Sequence, residues 1–226
     1  MRKKINPVFI FTVLATLVGI LIINRPKFED HPVKTKQNPV QVETQALHNI
    51  NKPIIDVSGW QRPSEINYDT LTQNISGAIV RVHSGAQVSV ENDASFKNGV
   101  DKAFKEHITE FQKRNVPVAV YAYVAGKNVQ EMEKAAEVFY NASSPYTPSY
   151  YWLDVEEKTM SDMNQGVEAF RTKLASLGAK NIGIYVGVYF MEEHSINVDN
   201  YSAIWIPSYG TNSGYYESAP KTDLDY

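Results

Sequence analysis

The sequence predicts an α/β fold in which a parallel sheet is built from βα units. Six short apolar runs recur between residues 53 and 210, and the segments between them carry apolar residues at i, i+3, i+4 and i+7. The first pattern is typical of buried strands and the second of amphipathic helices. Strands and helices that alternate in this way favour parallel pairing. An open doubly wound sheet and a closed barrel both satisfy the pattern.

The predicted strands are rich in β-branched and aromatic residues, which favour strands. In chain order they are PIIDVSGW (53–60), GAIVRVHSG (77–85), PVAVYAYVAG (117–126), SYYWLDVE (149–156), NIGIYVG (181–187) and SAIWIPSYG (202–210). Helices are predicted at FKNGVDKAFKEHITEFQKRN, NVQEMEKAAEVFYNA and MNQGVEAFRTKLASLG. For the third of these, Thr159 or Ser161 is the expected cap and Gly178 the expected stop.

The N-terminus carries an export signal. Three basic residues at positions 2 to 4 precede an uncharged apolar stretch at 7–23, which is just long enough to span a bilayer. No small-x-small cleavage pattern follows it, so we expect residues 1–24 to be an uncleaved membrane anchor rather than a removed signal peptide of a secreted protein. The basic end then stays in the cytoplasm and the rest of the chain lies outside the cell membrane.

Two further regions follow the predicted anchor. Residues 25–52 mix Pro, Lys, Gln and Asn without a sustained period, which predicts a flexible spacer, and residues 53–226 are predicted to form one domain. Beyond residue 24 the chain has 19 basic side chains against 25 acidic ones, so nucleic acid is a poor candidate partner. The chain has no cysteine, which excludes disulfides and thiolate metal sites.

Acidic side chains are predicted to meet at one edge of the sheet. Asp154 and Glu156 are two residues apart, so they share one face of the fourth predicted strand, near its end. Asp56 occupies the same kind of position at the end of the first strand. Because the functional face of a βα fold lies at the C-terminal ends of its strands, we expect all three carboxylates on one rim.

Paired carboxylates suit the cleavage of glycosidic bonds. One acid protonates the leaving oxygen from a water-poor surround, while a second carboxylate supports the cation-like transition state. Two alternative roles remain open for these acids: capping a helix or pairing with a nearby cation, and binding magnesium as in a phosphodiesterase. The five histidines show no metal-binding spacing, and His83, at the end of the second strand, is the one histidine of interest.

Aromatic side chains are predicted on the same rim. Sugar rings present apolar C–H faces that aromatic rings match. Tyr123, Tyr185, Trp205 and Tyr209 lie late in or just after their predicted strands, which makes them the preferred candidates for substrate binding. Tyr121 and Trp152 are as compatible with core packing as with a binding site.

Seven segments, taken in order, resemble one family of enzymes. They are IDVSGWQ, AIVRVHSG, DASFKNGVDKAF, PVAVYAYVAG, YWLDVEE, IGIYVG and IWIPSYG. From about Ile54 onward the chain resembles the glycoside hydrolase family 25 lysozymes, the Chalaropsis-type muramidases. The LDVE segment together with the early DVS is the most specific part of this resemblance.

The resemblance implies a modified (β/α) TIM-like barrel, no cofactor, and hydrolysis of the β-1,4 bond between N-acetylmuramic acid and N-acetylglucosamine. It also implies that Glu156 is the proton donor, that Asp154 orients the 2-acetamido group, and that Asp56 lines the site. Asp93 and Asn98 match family positions as well, although helix capping explains Asp93 equally. The family's barrel has eight strands, so the six predicted here imply a C-terminally incomplete barrel with unpaired edges.

Three functions are consistent with these patterns. The first is a membrane-anchored, monomeric muramidase whose partners are peptidoglycan glycan strands. The second is a catalytically inactive, membrane-anchored protein that binds cell-wall glycan through the aromatic residues. The third is a metal-dependent phosphodiesterase.

Overall fold

Six parallel strands form one sheet in the computed structural model, which describes residues 52–85, 91–209 and 211. The strands are β1 (Ile54–Val57), β2 (Gly77–His83), β3 (Val118–Tyr123), β4 (Tyr151–Val155), β5 (Ile182–Val186) and β6 (Ala203–Trp205). Each strand pairs with the next along the chain. A doubly wound sheet reverses its strand order at a switch point. The order from β1 to β6 therefore matches barrel-type winding and excludes the doubly wound alternative.

In the described residues, five α-helices connect or follow these strands. They are α1 (Tyr68–Thr72), α2 (Phe104–Lys113), α3 (Val129–Ser143), α4 (Met163–Leu177) and α5 (Val188–Glu193). Side chains cap α1 and α3, where the Oδ1 atoms of Asn67 and Asn128 accept the backbone N–H groups of Thr70 and Glu131. Such caps satisfy N–H groups that have no partner within the first turn.

The first long helix begins eight residues later than the sequence predicted. Residues 96–103 form turns and isolated bridges, and α2 starts at Phe104. Gly99 has φ of +83°, a left-handed backbone angle that interrupts a helix. Asp93 does not cap this helix, because the helix begins only at Phe104. The exposed Asp93 carboxylate instead lies 3.9 Å from Arg62. Asn98 instead accepts the N–H of Val100.

The cap predicted for α4 is also wrong, whereas its predicted end is confirmed. Asp162 caps the helix, and its Oδ1 atom lies 2.9 Å from the backbone nitrogen of Gln165. The hydroxyl of Thr159 is used elsewhere, since it donates to the carbonyl of Gly126 at 2.7 Å. The helix ends at Gly178, whose φ of +111° is the left-handed angle that glycine adopts at low cost.

The two faces of the sheet pack differently. One face carries valines, leucine and isoleucines that pack against Ile108, Phe111, Phe139, Phe170 and Leu174 of the helices. The opposite face holds a smaller cluster of Ile79, Ala119, Trp152 and Ala203. Members of this cluster come from β2, β3, β4 and β6, so the sheet curls until non-adjacent strands touch across its concave face.

Trp152 reaches across β5 because Gly183 has no side chain. A Cβ atom built at Gly183 would lie 2.5 Å from the indole ring, closer than real contacts allow. The indole instead meets Trp205 of β6 edge-on, with 5.9 Å between ring centroids. Gly183 therefore fixes the shape of the concave face.

Several sequence predictions fall outside this description. The predicted anchor, residues 1–24, and all but Lys52 of the predicted spacer lie outside the described residues. Within the described ranges, no helix has the length and apolar character needed to cross a membrane. In the same ranges β1 and β6 each pair with a strand on one side only.

We predict that Gly183→Ala destabilises the protein by about 1–3 kcal/mol, because overpacking a filled core forces side chains or backbone to move. Gly77→Ala is the matched control, since its added Cβ would lie 3.5 Å from the nearest atom, an ordinary contact. Urea unfolding followed by tryptophan fluorescence measures both free energies. Equal stability of the two variants would contradict the packing described for Trp152.

Candidate active site

A cavity opens on the concave face, toward the C-terminal ends of the strands. The strand register places Asp154 level with Tyr123 on one side and with Tyr185 on the other, and Tyr185 level with Trp205. The cavity has a volume of about 260 Å³. Its lining consists of Asp56, Tyr121, Trp152, Asp154, Glu156, Tyr185, Trp205, Pro207, Ser208 and Tyr209.

The cavity brings together most of the residues that the sequence singled out. Asp56, Asp154 and Glu156 all line it, and so do the aromatic candidates Tyr185, Trp205, Tyr209, Tyr121 and Trp152. Tyr123 is outside the lining, and its hydroxyl donates to Glu157 at 3.2 Å.

Sequence reasoning missed two lining residues, Pro207 and Ser208. Both lie shortly after the end of β6. Their position after a strand end was the available signal, because that is where βα folds place functional loops.

The Asp154 carboxyl group has an unusual environment. Burial raises its pKa well above the ordinary value of 3.8, and the nearby charge of Glu156 and a hydrogen bond to that side chain raise the pKa further. Its Oδ1 atom is buried and has no hydrogen-bond partner among the residues that the structure describes. A carboxyl group with a raised pKa stays protonated at a pH where an ordinary aspartate is ionised, so Asp154 is the acid of this site that burial keeps neutral.

Asp56 adds a third carboxyl group from β1. Burial raises its pKa, and the charge of Glu156 contributes in the same direction. The side chain nevertheless reaches solvent through the open cavity. Asp56 is therefore partly shielded from water but is not buried in the core.

Glu156 lies just beyond the last residue of β4 and is exposed. The sequence led us to expect a water-poor surround for this residue, and the structure corrects that expectation. The carboxyl group stays beside Asp154 while also facing the mouth of the cavity. A group in this position can exchange protons with both a buried acid and a molecule that enters from solvent.

Aromatic rings form the walls on the β4 to β6 side. Trp205 meets Tyr185 edge-on, with 4.9 Å between ring centroids. The hydroxyls of Tyr185 and Tyr209 lie 2.8 Å apart. The indole nitrogen of Trp205 is buried, and no residue in the described ranges forms a hydrogen bond with it. These walls offer apolar ring surfaces together with polar atoms, which is the combination that sugars require.

A buried ion pair supports the loops around the cavity. The Nε atom of Arg81 donates to Asp101 at 2.9 Å, and both side chains are largely buried. Asp101 also accepts the backbone N–H groups of Gly59 and Ala103, at 2.7 and 2.8 Å. The charge of Arg81 partly opposes the rise in the pKa of Asp154. One aspartate thus connects β2, the loop after β1 and the start of α2.

His83 takes no part in the cavity lining. Burial lowers its pKa to about 4, so the ring is neutral. Its Nδ1 atom accepts the N–H of Gly85, which leaves Nε2 to donate to the carbonyl of Asn98. Across the described part of the chain, no group of three or more His, Asp or Glu side chains is arranged to hold a metal ion.

Comparison with known proteins gave one family and several structures. The model of "Glycosyl hydrolases family 25" matches residues 55–223. The chain is 76% identical to GHIP, a glycosyl hydrolase 25 of Streptococcus pneumoniae described as participating in host cell invasion, with a TM-score of 0.77. That match covers 84% of this chain and 82% of the other. A search of curated proteins gave no match.

Two more distant structures share the fold. The catalytic domain of the endolysin ply40, from a bacteriophage of Listeria monocytogenes, is 20% identical with a TM-score of 0.64, and the match covers 76% of this chain and 81% of that one. The Cpl-1 endolysin, solved with a peptidoglycan analogue, is 20% identical with a TM-score of 0.51, and the match covers 72% of this chain and 45% of that one.

We predict that Asp101→Asn destabilises the protein by about 3–5 kcal/mol, because it leaves the buried guanidinium of Arg81 without a compensating charge. Chemical unfolding at neutral pH measures the loss. Glu137→Gln, which removes an exposed ion pair with Lys134, is the control and should change stability by about 1 kcal/mol or less. A loss for Asp101→Asn as small as that of the control would show that the Arg81–Asp101 pair does not support the fold.

Proposed function

The chain belongs to glycosyl hydrolase family 25, and we propose that it is a peptidoglycan hydrolase that cleaves the β-1,4 bond between N-acetylmuramic acid and N-acetylglucosamine. The observation that carries this proposal is that the carboxyl groups of Asp56, Asp154 and Glu156 line one cavity together with aromatic side chains. Glycosidases commonly use a pair of carboxyl groups. The aromatic walls beside them suit amino-sugar rings.

Glu156 is the proposed proton donor. Its carboxyl group lines the cavity and is exposed to solvent, so a glycosidic oxygen that enters the cavity can approach it. As the bond between the sugar carbon and that oxygen breaks, Glu156 transfers the proton to the leaving oxygen. A water molecule later attacks the same carbon and returns a proton to Glu156, which restores the enzyme.

Asp154 is proposed to orient the substrate, and Asp56 to act on the charge that develops in the sugar. In this scheme the 2-acetamido oxygen of the substrate attacks the sugar carbon as an internal nucleophile, one of the known exceptions to the two-carboxylate mechanism. Asp154 accepts the acetamido N–H and so orients that group for attack. Asp56 lines the cavity from β1, and its carboxyl group stabilises the positive charge that develops on the sugar. A partly water-depleted setting strengthens both interactions.

Trp205, Tyr185 and Tyr209 are proposed to bind the sugar rings. Their rings and hydroxyls surround the side of the cavity opposite β1. Tyr123 is also proposed to bind the glycan. It lies level with Asp154 but outside the cavity lining, and its hydroxyl donates to Glu157, so its proposed contact is with a part of the glycan outside the cavity.

A second candidate function is non-catalytic binding of cell-wall glycan. The exposure of Glu156 favours it, because a proton donor works best where water is excluded. Substrate binding itself excludes water from an open cleft, which is why we prefer the enzyme. Release of reducing ends from purified cell walls distinguishes the two functions.

We also propose that residues 1–24 anchor a monomeric protein in the cell membrane, with the domain on the outer side. The support is the basic start and the apolar stretch at 7–23. The full chain should stay in the membrane fraction after an alkaline wash and keep its N-terminal residues. Recovery of a shortened chain in the medium would favour secretion after cleavage instead.

We predict that Glu156→Gln abolishes clearing of a peptidoglycan zymogram, with a loss of at least about 10²–10⁴-fold in rate, because the glutamine amide is far too weak an acid to protonate the leaving oxygen. The matched control is Glu157→Gln, which alters the adjacent acid outside the cavity lining and should keep most of the activity. Thermal unfolding should be similar for both variants. Undiminished clearing by Glu156→Gln would refute the assigned role.

A further inference from the structure

In the described part of the chain, the large exposed apolar side chains lie at one end of the sheet. Within the described ranges there are four of them: Trp60, Phe96, Tyr189 and Tyr209, with exposed fractions of 58%, 46%, 87% and 67%. Each lies in a segment that follows the C-terminal end of a strand, after β1, β2, β5 and β6 respectively. The cavity opens at this same end. Scattered exposed apolar residues are ordinary on a protein surface, whereas their concentration around a site indicates binding.

Trp60 and Phe96 belong to two loops that pack on each other. A Cβ atom built at Gly59 would lie 2.4 Å from the carbonyl oxygen of Ala94, so the two backbones are in close contact. The buried Asp101 carboxylate binds the N–H of Gly59, and the N–H of Lys102 donates to Ala94. These contacts hold both loops in place.

The two exposed rings are therefore displayed on ordered backbone. The Nζ atom of Lys102 lies 5.5 Å from the centre of the Phe96 ring. The backbone N–H of Trp60 donates to the hydroxyl of Ser58 at 3.3 Å. Ordered display of a ring lowers the entropy lost when a ligand stacks on it.

The size of the cavity limits what it can hold. Its volume of about 260 Å³ falls below the ≈300–1,000 Å³ typical of pockets that enclose a whole small ligand. A polymeric glycan therefore places only a short part of its length inside. The remainder of the strand has to cross the rim, and on the β1 side the rim presents Trp60 and Phe96.

We propose that Trp60 and Phe96 form an outer aromatic surface that binds sugar units of the same glycan strand beyond those held in the cavity. The surface makes the protein prefer long strands to short oligosaccharides. The identity of the strand as peptidoglycan glycan rests on the proposed function. The chemistry is stacking of ring faces on the C–H faces of sugars, which requires no charge on the ligand.

The test measures binding without hydrolysis, in the full-length protein carrying Glu156→Gln. Affinities are determined by calorimetry for long, peptide-free glycan strands and for a tetrasaccharide with the same repeat. One double variant carries Trp60→Ala and Phe96→Ala. A single variant, Trp60→Phe, tests whether another aromatic ring at this position is sufficient for binding. Lys113→Ala, an exposed change at the end of α2, is the control.

We expect the ratio of long-strand affinity to tetrasaccharide affinity to fall about tenfold in the double variant, which corresponds to about 1.4 kcal/mol. The ratio should stay near its starting value in Trp60→Phe and in Lys113→Ala. An unchanged ratio in the double variant, or no preference for long strands at the outset, would overturn the outer surface. If the unmodified protein releases no reducing ends but its binding of long strands depends on Trp60, the outer aromatic surface is supported and the enzyme assignment is rejected.

Discussion

The site depends on three carboxyl groups that share one cavity. Asp154 comes from β4, Glu156 lies just beyond it, and Asp56 comes from β1. The charges of Glu156 and Asp56 raise the pKa of Asp154, and the charge of Glu156 raises that of Asp56. Repulsion of this kind adds to burial in raising the pKa of Asp154, so that this carboxyl group keeps a proton at a pH where an ordinary aspartate is ionised. It also lowers stability, so the rest of the fold has to hold the groups together. The functional site is thus a strained region supported by its surroundings.

The two-faced sheet supplies that support. On the convex face, helix side chains bury the β-branched residues of every central strand, which fixes the strand register and therefore the level of each rim residue. On the concave face, Gly183 lets Trp152 reach Trp205, and the resulting aromatic wall borders the carboxyl groups. The Arg81–Asp101 pair then joins the loop after β1 to β2 and α2. Packing, curvature and electrostatics act on the same few positions.

The sequence was sufficient to predict the six strands and the position of the three acids at one edge of the sheet. The strands follow from local periodicity, and the position of the acids follows from the rule that functional residues lie at the C-terminal ends of strands. It was not sufficient where contacts join distant segments. The cap at Asp162 and the late start of α2 at Phe104 depend on loops that pack against other elements. Asp101 contacts Gly59 across 42 positions, which no local pattern records. The exposure of Glu156 likewise depends on how the segment after β4 leaves the sheet.

The central claim is that Asp154 keeps its proton at a pH where an ordinary aspartate has lost it, because it is buried beside Glu156. Carboxyl-carbon NMR titration of the isotopically labelled protein tests this claim most directly. The account predicts that the Asp154 carbon titrates well above 3.8 and that Glu156→Gln moves its midpoint to lower pH, since one of the causes is removed. Titration of Asp154 near 3.8 in the unmodified protein would contradict the account.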